Sequence, residues 1–293
     1  MPSLITETLS RAERLQTLSE LSVQFRDQYV YPETGQLLFD TLQEWSLLEP
    51  ETASPATEWC TSLTQRLRTL VPDKHLRVFA QVTQNVPEPA VHAGVQRVEH
   101  LEQGIALLEL NAFSGLEQAR PLLDAAMALV KPARALIVDL RKNGGGSGET
   151  VTYLCSFLLE PDLHLQSFYR RNTPEQSKTH TLQDIPYRDL EKPVVVLTSQ
   201  RTASAAEECA YNLQAAGRAT LIGETTAGAA HTVDIISLNE KVGAFIPSGH
   251  PISPYTGGHW ERTGVQPDLA VPADEALTVA LEHLKVKTAR GVQ

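Results

Sequence analysis

Two stretches of this sequence carry residue types whose spacing could do chemistry, and both lie where an apolar run gives way to a helix pattern. The first reads Ile137-Val138-Asp139-Leu140-Arg141-Lys142-Asn143-Gly144-Gly145-Gly146-Ser147-Gly148. Glycines let the backbone take positive φ and turn its amides outward at a helix N-terminus, where a phosphate or a developing oxyanion can be held. A structural tight turn is equally open. The run spells neither GxGxxG nor GxxxxGK[ST], so nucleotide readings are weak. The second stretch reads Val194-Val195-Val196-Leu197-Thr198-Ser199-Gln200-Arg201-Thr202-Ala203-Ser204-Ala205-Ala206-Glu207-Glu208. Ser204 can be an N-cap, forming a capping box with Glu207. It can also be a nucleophile at the helix's positive end, where charge developing in acyl transfer is stabilised. The small residues Ala203, Ala205 and Ala206 leave room there for a substrate carbonyl.

Such residues need elements to hold them. Ala135–Leu140 and Val194–Leu197 are short apolar runs that suit strands buried on both faces. Helices are expected at 149–159 and 203–216, and a short strand at 220–222. Strand, turn, helix, strand in this order implies a right-handed α/β unit. Upstream, 105–110 and 95–98 read as strands, 116–130 as a helix, and Leu76, Val78, Ala80 and Val82 alternate as a strand over 75–82. Residues 163–192 suggest a long hairpin or excursion, and 274–285 a closing helix.

Residues 3 to 70 carry helix periodicity, with Leu4, Ile5, Leu9, Leu15, Leu18, Leu21 and Phe25 on one face or two abutting ones. Pro32 and Gly35 read as a break, 37–48 and 59–70 as further helices. The expected organisation is a helical domain over 1–71 and an α/β core over 72–293.

Composition narrows the function classes. The chain has 293 residues, 42% hydrophobic and 20% charged, with 25 basic and 35 acidic residues and a net charge of −10. That balance argues against a nucleic-acid partner and against adsorption to an anionic membrane. Three scattered cysteines, Cys60, Cys155 and Cys209, fit neither a disulfide framework nor a zinc site and read as small buried hydrophobes. The spacing of His231, His250 and His259 fits no compact ligand motif, so no metal and no other cofactor is expected. No apolar run is long enough to span a bilayer, and Met1 onward shows no cationic segment leading into an apolar one. A cytoplasmic location is the expectation.

In order along the chain, DLRKNGGGSGE, VVVLTSQRTASAAEE, ATLIGETTAG and ERTGVQPDLAV resemble the core signatures of the tail-specific, or C-terminal-processing, serine peptidases. That family includes the catalytic part of tricorn protease and the repeats of interphotoreceptor retinoid-binding protein. The match runs from about residue 72 to 285, and the helical N-terminal part resembles the retinoid-binding branch. The resemblance implies an α/β fold, a crotonase/Clp-protease-like spiral core, with Ser204 as nucleophile. Many members use a lysine about 25 residues past the serine, but Glu224-Thr225-Thr226-Ala227-Gly228-Ala229-Ala230-His231 holds none. The tricorn-like branch draws a histidine from the start of the core and a glutamate just before GVxPD, which here are His75 and Glu261. That branch places a serine before its histidine, where this chain has Lys74.

A serine hydroxyl needs a base within hydrogen-bond reach, and imidazole can take the proton and return it to a leaving amine. His75 is the expected base and His231, near the missing lysine's place, the alternative. Glu261 would order the base or compensate its charge. The amides of Gly145 and Ala205 would hold the oxyanion. Asp268 reads as fixing a turn. No PDZ-like insertion has room between His75 and Leu140, so the core and helical part must hold the substrate, a peptide or small hydrophobic molecule. The alternative is a non-catalytic carrier of retinoid- or fatty-acid-like ligands, and the sequence leaves a homo-oligomer open.

Overall fold

The computed structural model describes residues 7–81 and 92–290, with side chains as far as Lys285, so the expectations for Leu4, Ile5 and Val82 lie outside the described residues. The elements run β1 (Thr8–Leu9), α1 (Arg11–Gln28), α2 (Pro32–Ser46), β2 (Ser54–Pro55), α3 (Ala56–Leu70), β3 (Arg77–Ala80), β4 (Val95–His100), β5 (Ile105–Leu110), α4 (Leu116–Val130), β6 (Ala135–Asp139), α5 (Gly148–Leu158), β7 (His164–Arg170), β8 (Thr173–His180), β9 (Val194–Thr198), α6 (Ala205–Ala215), β10 (Ala219–Gly223), β11 (Thr232–Ser237), β12 (Val242–Ile252), β13 (Leu269–Ala270) and α7 (Ala276–Arg290). Among the described residues no helix is long and apolar enough to cross a membrane.

The chain falls into two compact units, and their division is not at residue 71. Unit 1 holds the described residues of Met1–Val86 with Phe168–Gln176 and His231–Pro251; unit 2 holds those of Pro87–Ser167, Ser177–Ala230 and Ile252–Gln293.

Unit 2 is built on one sheet in the order β13-β10-β9-β6-β5-β4, parallel except for the antiparallel edge pair β4–β5. Its central strands bury both faces, which is why their sequences are unbroken apolar runs. Side chains alternate across a strand, so the two faces can be read from the sequence. Ala106, Leu108, Leu136, Val138, Val194 and Val196 join the core with α4, α5 and α6. Ile105, Leu107, Ile137, Val195 and Leu197 join the other, with Ala276, Ala280 and Leu284 of α7.

In unit 1, β11 and β12 form an antiparallel hairpin, and β12 pairs with β3 from Val242↔Ala80 to Phe245↔Arg77. One core joins Leu18, Leu21 and Phe25 of α1, Leu38 and Leu42 of α2, Leu63 and Leu67 of α3, and Val242, Ala244 and Ile246 of β12. This long-range pairing is what carries 231–251 into the same unit as the N-terminal helices. Pro32, expected to break a helix, opens α2 instead. In the first turn the missing N–H has no intrahelical partner to lose and φ near −65° is already helical.

Candidate active site

The parallel register Leu136↔Val194 to Asp139↔Leu197 sets the C-terminal ends of β6 and β9 side by side, so the two strand-to-helix junctions are neighbours. Side chains and main chain then stitch them. Thr202 Oγ1 donates to Leu140 O at 2.9 Å, Ser199 Oγ to Arg141 O at 2.6 Å, and Ala203 N to Asn143 O at 3.1 Å. Gly145 lies against the serine junction. A Cβ built on it would stand 2.8 Å from Ala203 O, 2.8 Å from Ser204 Cβ and 3.1 Å from Ala205 N. Only glycine permits that approach at φ +107°.

Ser204 itself sits at φ +54°, ψ −123°, immediately before α6. A non-glycine residue there is strained by about 1–3 kcal/mol and persists only where its surroundings over-determine it. A serine lifted on a strained strand-to-helix turn is the geometry of a nucleophile elbow, which thrusts the hydroxyl out at the helix's positive end. Ala205, at the first helical position, offers its amide beside it.

What over-determines the turn is Glu207. Its fully buried carboxylate accepts from Ser204 N at 2.8 Å, Thr226 Oγ1 at 2.5 Å, Gly228 N at 2.6 Å and Ala229 N at 2.9 Å. The bond to Ser204 N is the half of a capping box in which glutamate reaches back to the cap residue. The remaining donors belong to the 226–229 loop, so one carboxylate ties Ser204 and that loop together. Glu261 continues this series: its Oε2 accepts from Ala230 N at 2.7 Å. Main-chain bonds reinforce the loop, with Ala227 N to Thr202 O at 2.9 Å and Arg262 N to Gly228 O at 3.0 Å.

Unit 1 holds the histidines. Asp73, buried in the loop between α3 and β3, meets His231 Nδ1 at 2.7 Å and Tyr29 Oη at 2.9 Å through Oδ2, and accepts from His75 N at 2.8 Å through Oδ1. Both side chains of the Asp73–His231 pair are fully buried. Burial would raise the Asp73 carboxyl, but the hydrogen bonds and charge of His231, with the donors from His75 and Tyr29, outweigh it and hold the group below the usual carboxylate range. The His75 imidazole also lies below its ordinary value: burial lowers it most, Asp73 pulls it up, and the charges of His231 and Arg68 lower it again. The Tyr31 ring packs edge-on against His231 at 5.6 Å.

The expected site residues are therefore placed as follows. His75 and His231 are in unit 1, and Ser204, Ala205, Gly145 and Glu261 are in unit 2. The Gly145 amide, expected to face an oxyanion, donates instead to Asn143 Oδ1 at 2.9 Å. An asparagine two residues before an amide closes such a local turn readily. Asp268 brackets Leu221, accepting from its N–H at 2.8 Å and donating its own to Leu221 O at 2.9 Å, which seats β13 beside β10. All three cysteines are buried and unpaired by disulfide, and burial pushes the Cys60 thiol up to about 12. Sequence reasoning missed Asp73, Tyr29 and the wider role of Glu207. Asp73 stands two residues before His75 and could have been noticed; nothing local marks Tyr29.

Comparison with known proteins gives a consistent answer. Residues 104–271, more than half of the chain, match the model of peptidase family S41. Over 200 residues the chain is 27% identical to carboxyl-terminal-processing peptidase 1, chloroplastic, of Arabidopsis thaliana, covering 67% of this chain and 39% of that one. The chain spans well under half the length of the curated relatives it matches. A lipoprotein from Streptococcus agalactiae superposes with a TM-score of 0.72 at 17% identity, covering 93% of this chain and 96% of that one. The photosystem II D1 C-terminal processing protease gives 0.59 at 13% identity, with 89% and 94% covered. These likenesses show the fold, an α/β core of the Clp/crotonase-like kind. They give no support to the ligand-carrier alternative.

Proposed function

Because the chain belongs to peptidase family S41, we propose that it is a serine-type peptidase in which Ser204 cleaves peptide bonds through an acyl-enzyme. The observation that carries this is the strained conformation of Ser204 at the start of α6, with Gly145 against it and the Ala205 amide beside it. An N-cap needs no such strain, since cap residues ordinarily take extended φ/ψ.

In the proposed reaction Ser204 Oγ attacks the scissile carbonyl while its proton passes to an imidazole. The carbonyl oxygen becomes an oxyanion beside the Ala205 amide. Gly145 N–H is engaged by Asn143, so the second donor is assigned to the neighbouring turn amides of Gly144 or Gly146. The imidazole then protonates the leaving amine, the C–N bond breaks, and water, activated by the same base, releases the acyl group and restores the serine. Peptides are the proposed substrates, in keeping with relatives named for carboxyl-terminal processing.

The test is labelling with a fluorophosphonate probe, followed by hydrolysis of a peptide library. Wild type should label stoichiometrically. Ser204→Ala should lose labelling and lower kcat by on the order of 10⁶, with folding stability within about 0.5 kcal/mol. Folded wild-type protein that resists the probe and cleaves nothing would sink the proposal.

A further inference from the structure

We infer that the groove between α3 and β3 binds an extended peptide segment through an acidic side chain, which Arg68 and Arg77 hold. The groove lies wholly within unit 1 and does not depend on the peptidase reading.

Helix periodicity builds one wall. Thr57, Thr61, Thr64 and Arg68 recur at spacings of three and four, so they line one face of α3. Strand β3 runs back along that face. Val78 N–H donates to Thr64 Oγ1 at 2.9 Å, Thr64 Oγ1 donates to Val78 O at 3.0 Å, and Arg68 Nε donates to Leu76 O at 2.8 Å. Between helix and strand is a cleft of about 480 Å³. From Thr57 to Arg68 the helix rises about 16 Å, a span that about five extended residues cover. Thr57, Thr61, Gln65, Arg68 and Arg77 are exposed, so the cleft is open along its length. Small-molecule sites gather a few polar groups around one enclosed point, whereas polar groups strung along an open cleft suit a chain.

Thr64 limits how that chain is held. Its hydroxyl takes both main-chain groups that Val78 would otherwise offer to an added strand. Ala80, two residues on, turns its N–H and C=O to the same side and supplies one donor and one acceptor. Strand addition cannot run the length of β3, so side chains must carry the recognition.

Charge selects which side chain. The protein carries a net charge of −10, yet no acidic residue lines this cleft and two arginines do. Burial lowers the Arg68 guanidinium and the charge of Arg77 lowers it further, so the two cations are close enough to repel. Asp73 pulls Arg68 the other way, but that carboxylate is buried and engaged by His231 Nδ1 at 2.7 Å and Tyr29 Oη at 2.9 Å. Arg77 lies 5.8 Å over the Phe245 ring, which Phe79 meets edge-on at 5.3 Å, and this packing holds its guanidinium at the cleft. A carboxylate between the two arginines offsets their repulsion and accepts charge-assisted hydrogen bonds.

The experiment follows the anisotropy of rhodamine-labelled, C-terminally amidated hexapeptides on the full chain carrying Ser204→Ala, so that no probe is cut. The parent peptide alternates serine and valine, and six others each carry one glutamate at a successive position. At least one glutamate peptide should bind about tenfold or more tighter than the parent, and Arg77→Gln should weaken that peptide about ten- to hundredfold. Added salt should weaken the glutamate peptides and spare the parent. Thr61→Trp fills the cleft from an exposed helix position while keeping both arginines, and should weaken all seven peptides about tenfold. Thermal melts at the wild-type midpoint establish that both variants are folded. The inference is overturned if no glutamate peptide exceeds the parent, or if either variant binds as the unaltered groove does. Citrate binding as tightly as the best peptide would make this a small-anion site and overturn the peptide assignment. Fluorophosphonate labelling of Ser204 bears on the peptidase reading alone, so the two can fail separately.

Discussion

The two strand-to-helix junctions of unit 2 do the same topological task by opposite means. After β6 the chain turns on Gly145 at φ +107° and Gly146 at φ +135°. A side chain at Gly146 would stand 2.0 Å from Phe113 O, so bare backbone is what that turn needs. After β9 the chain turns on Ser204 at φ +54°, where glycine would be easier and a side chain is kept. The first junction avoids strain. The second retains it and offsets it with Glu207, whose buried carboxylate collects four hydrogen bonds. The difference fits the proposed chemistry: strain is kept at the junction proposed to present an atom, and removed at the one proposed to present a surface.

The harshest way to break this contrast is Gly145→Ala. The new methyl would meet Ala203 O and Ser204 Cβ at 2.8 Å, on a backbone at φ +107°. Because Ala203 O is main chain, the clash cannot be relieved by a rotamer change. The expected result is a loss of kcat on the order of 10³-fold or more, with stability lower by about 2–4 kcal/mol. Gly144→Ala is the control, since a Cβ there meets nothing within 4 Å. It should unfold like wild type in denaturant. Equal activity in the two variants would mean that the glycine junction is not shaped around Ser204.

How much of this could be read in advance follows from the range of the interactions. Helix α4 falls at the expected 116–130, and β5, β6 and β9 within a residue of their expected bounds, because alternation and apolar runs are local signals. The Ser204 junction and the glycine-rich turn after β6 were legible as motifs for the same reason. The division into units was not, since it depends on β12 returning to β3 across more than 160 positions. The Asp73–His231 pair spans 158 residues and leaves no periodic trace. Glu207 could be read as a cap partner. Its hold on 226–229 could not, because that requires knowing where a loop 19 to 22 residues away folds back.

Glu208 sharpens the contrast by showing what a neighbouring carboxyl does without that array of donors. It lies on α6 over the first residue of α5, with Oε2 3.5 Å from where a Gly148 Cβ would be. Burial raises its pKa from 4.5 to about 7. The folded value is above the unfolded one, so the protonated form is the one folding favours. Stability from this group is fully present below about pH 4.5 and is lost as pH rises through about 7. The loss is on the order of 3 kcal/mol. Urea unfolding at pH 5 and pH 8 should show this decline in wild type, and Glu208→Gln should flatten it by gaining stability at pH 8. A decline of the same size in both proteins would remove Glu208 as its source.

The subtlest measurement asks whether the serine junction is strained at all. Ser204→Ala and Ser204→Gly both remove the hydroxyl, so activity cannot confuse the comparison. Alanine keeps the Cβ and with it the conflict at φ +54°, ψ −123°. Glycine removes that conflict, worth about 1–3 kcal/mol. Against this, glycine gives the unfolded chain more freedom, by about 0.4–1 kcal/mol. Relief should prevail, leaving Ser204→Gly more stable than Ser204→Ala by about 1 kcal/mol in denaturant midpoints at unchanged slope. If alanine instead equals or exceeds glycine, the turn at Ser204 stores no strain. The two junctions would then differ in sequence alone, and the conformational ground for assigning the nucleophile would be gone.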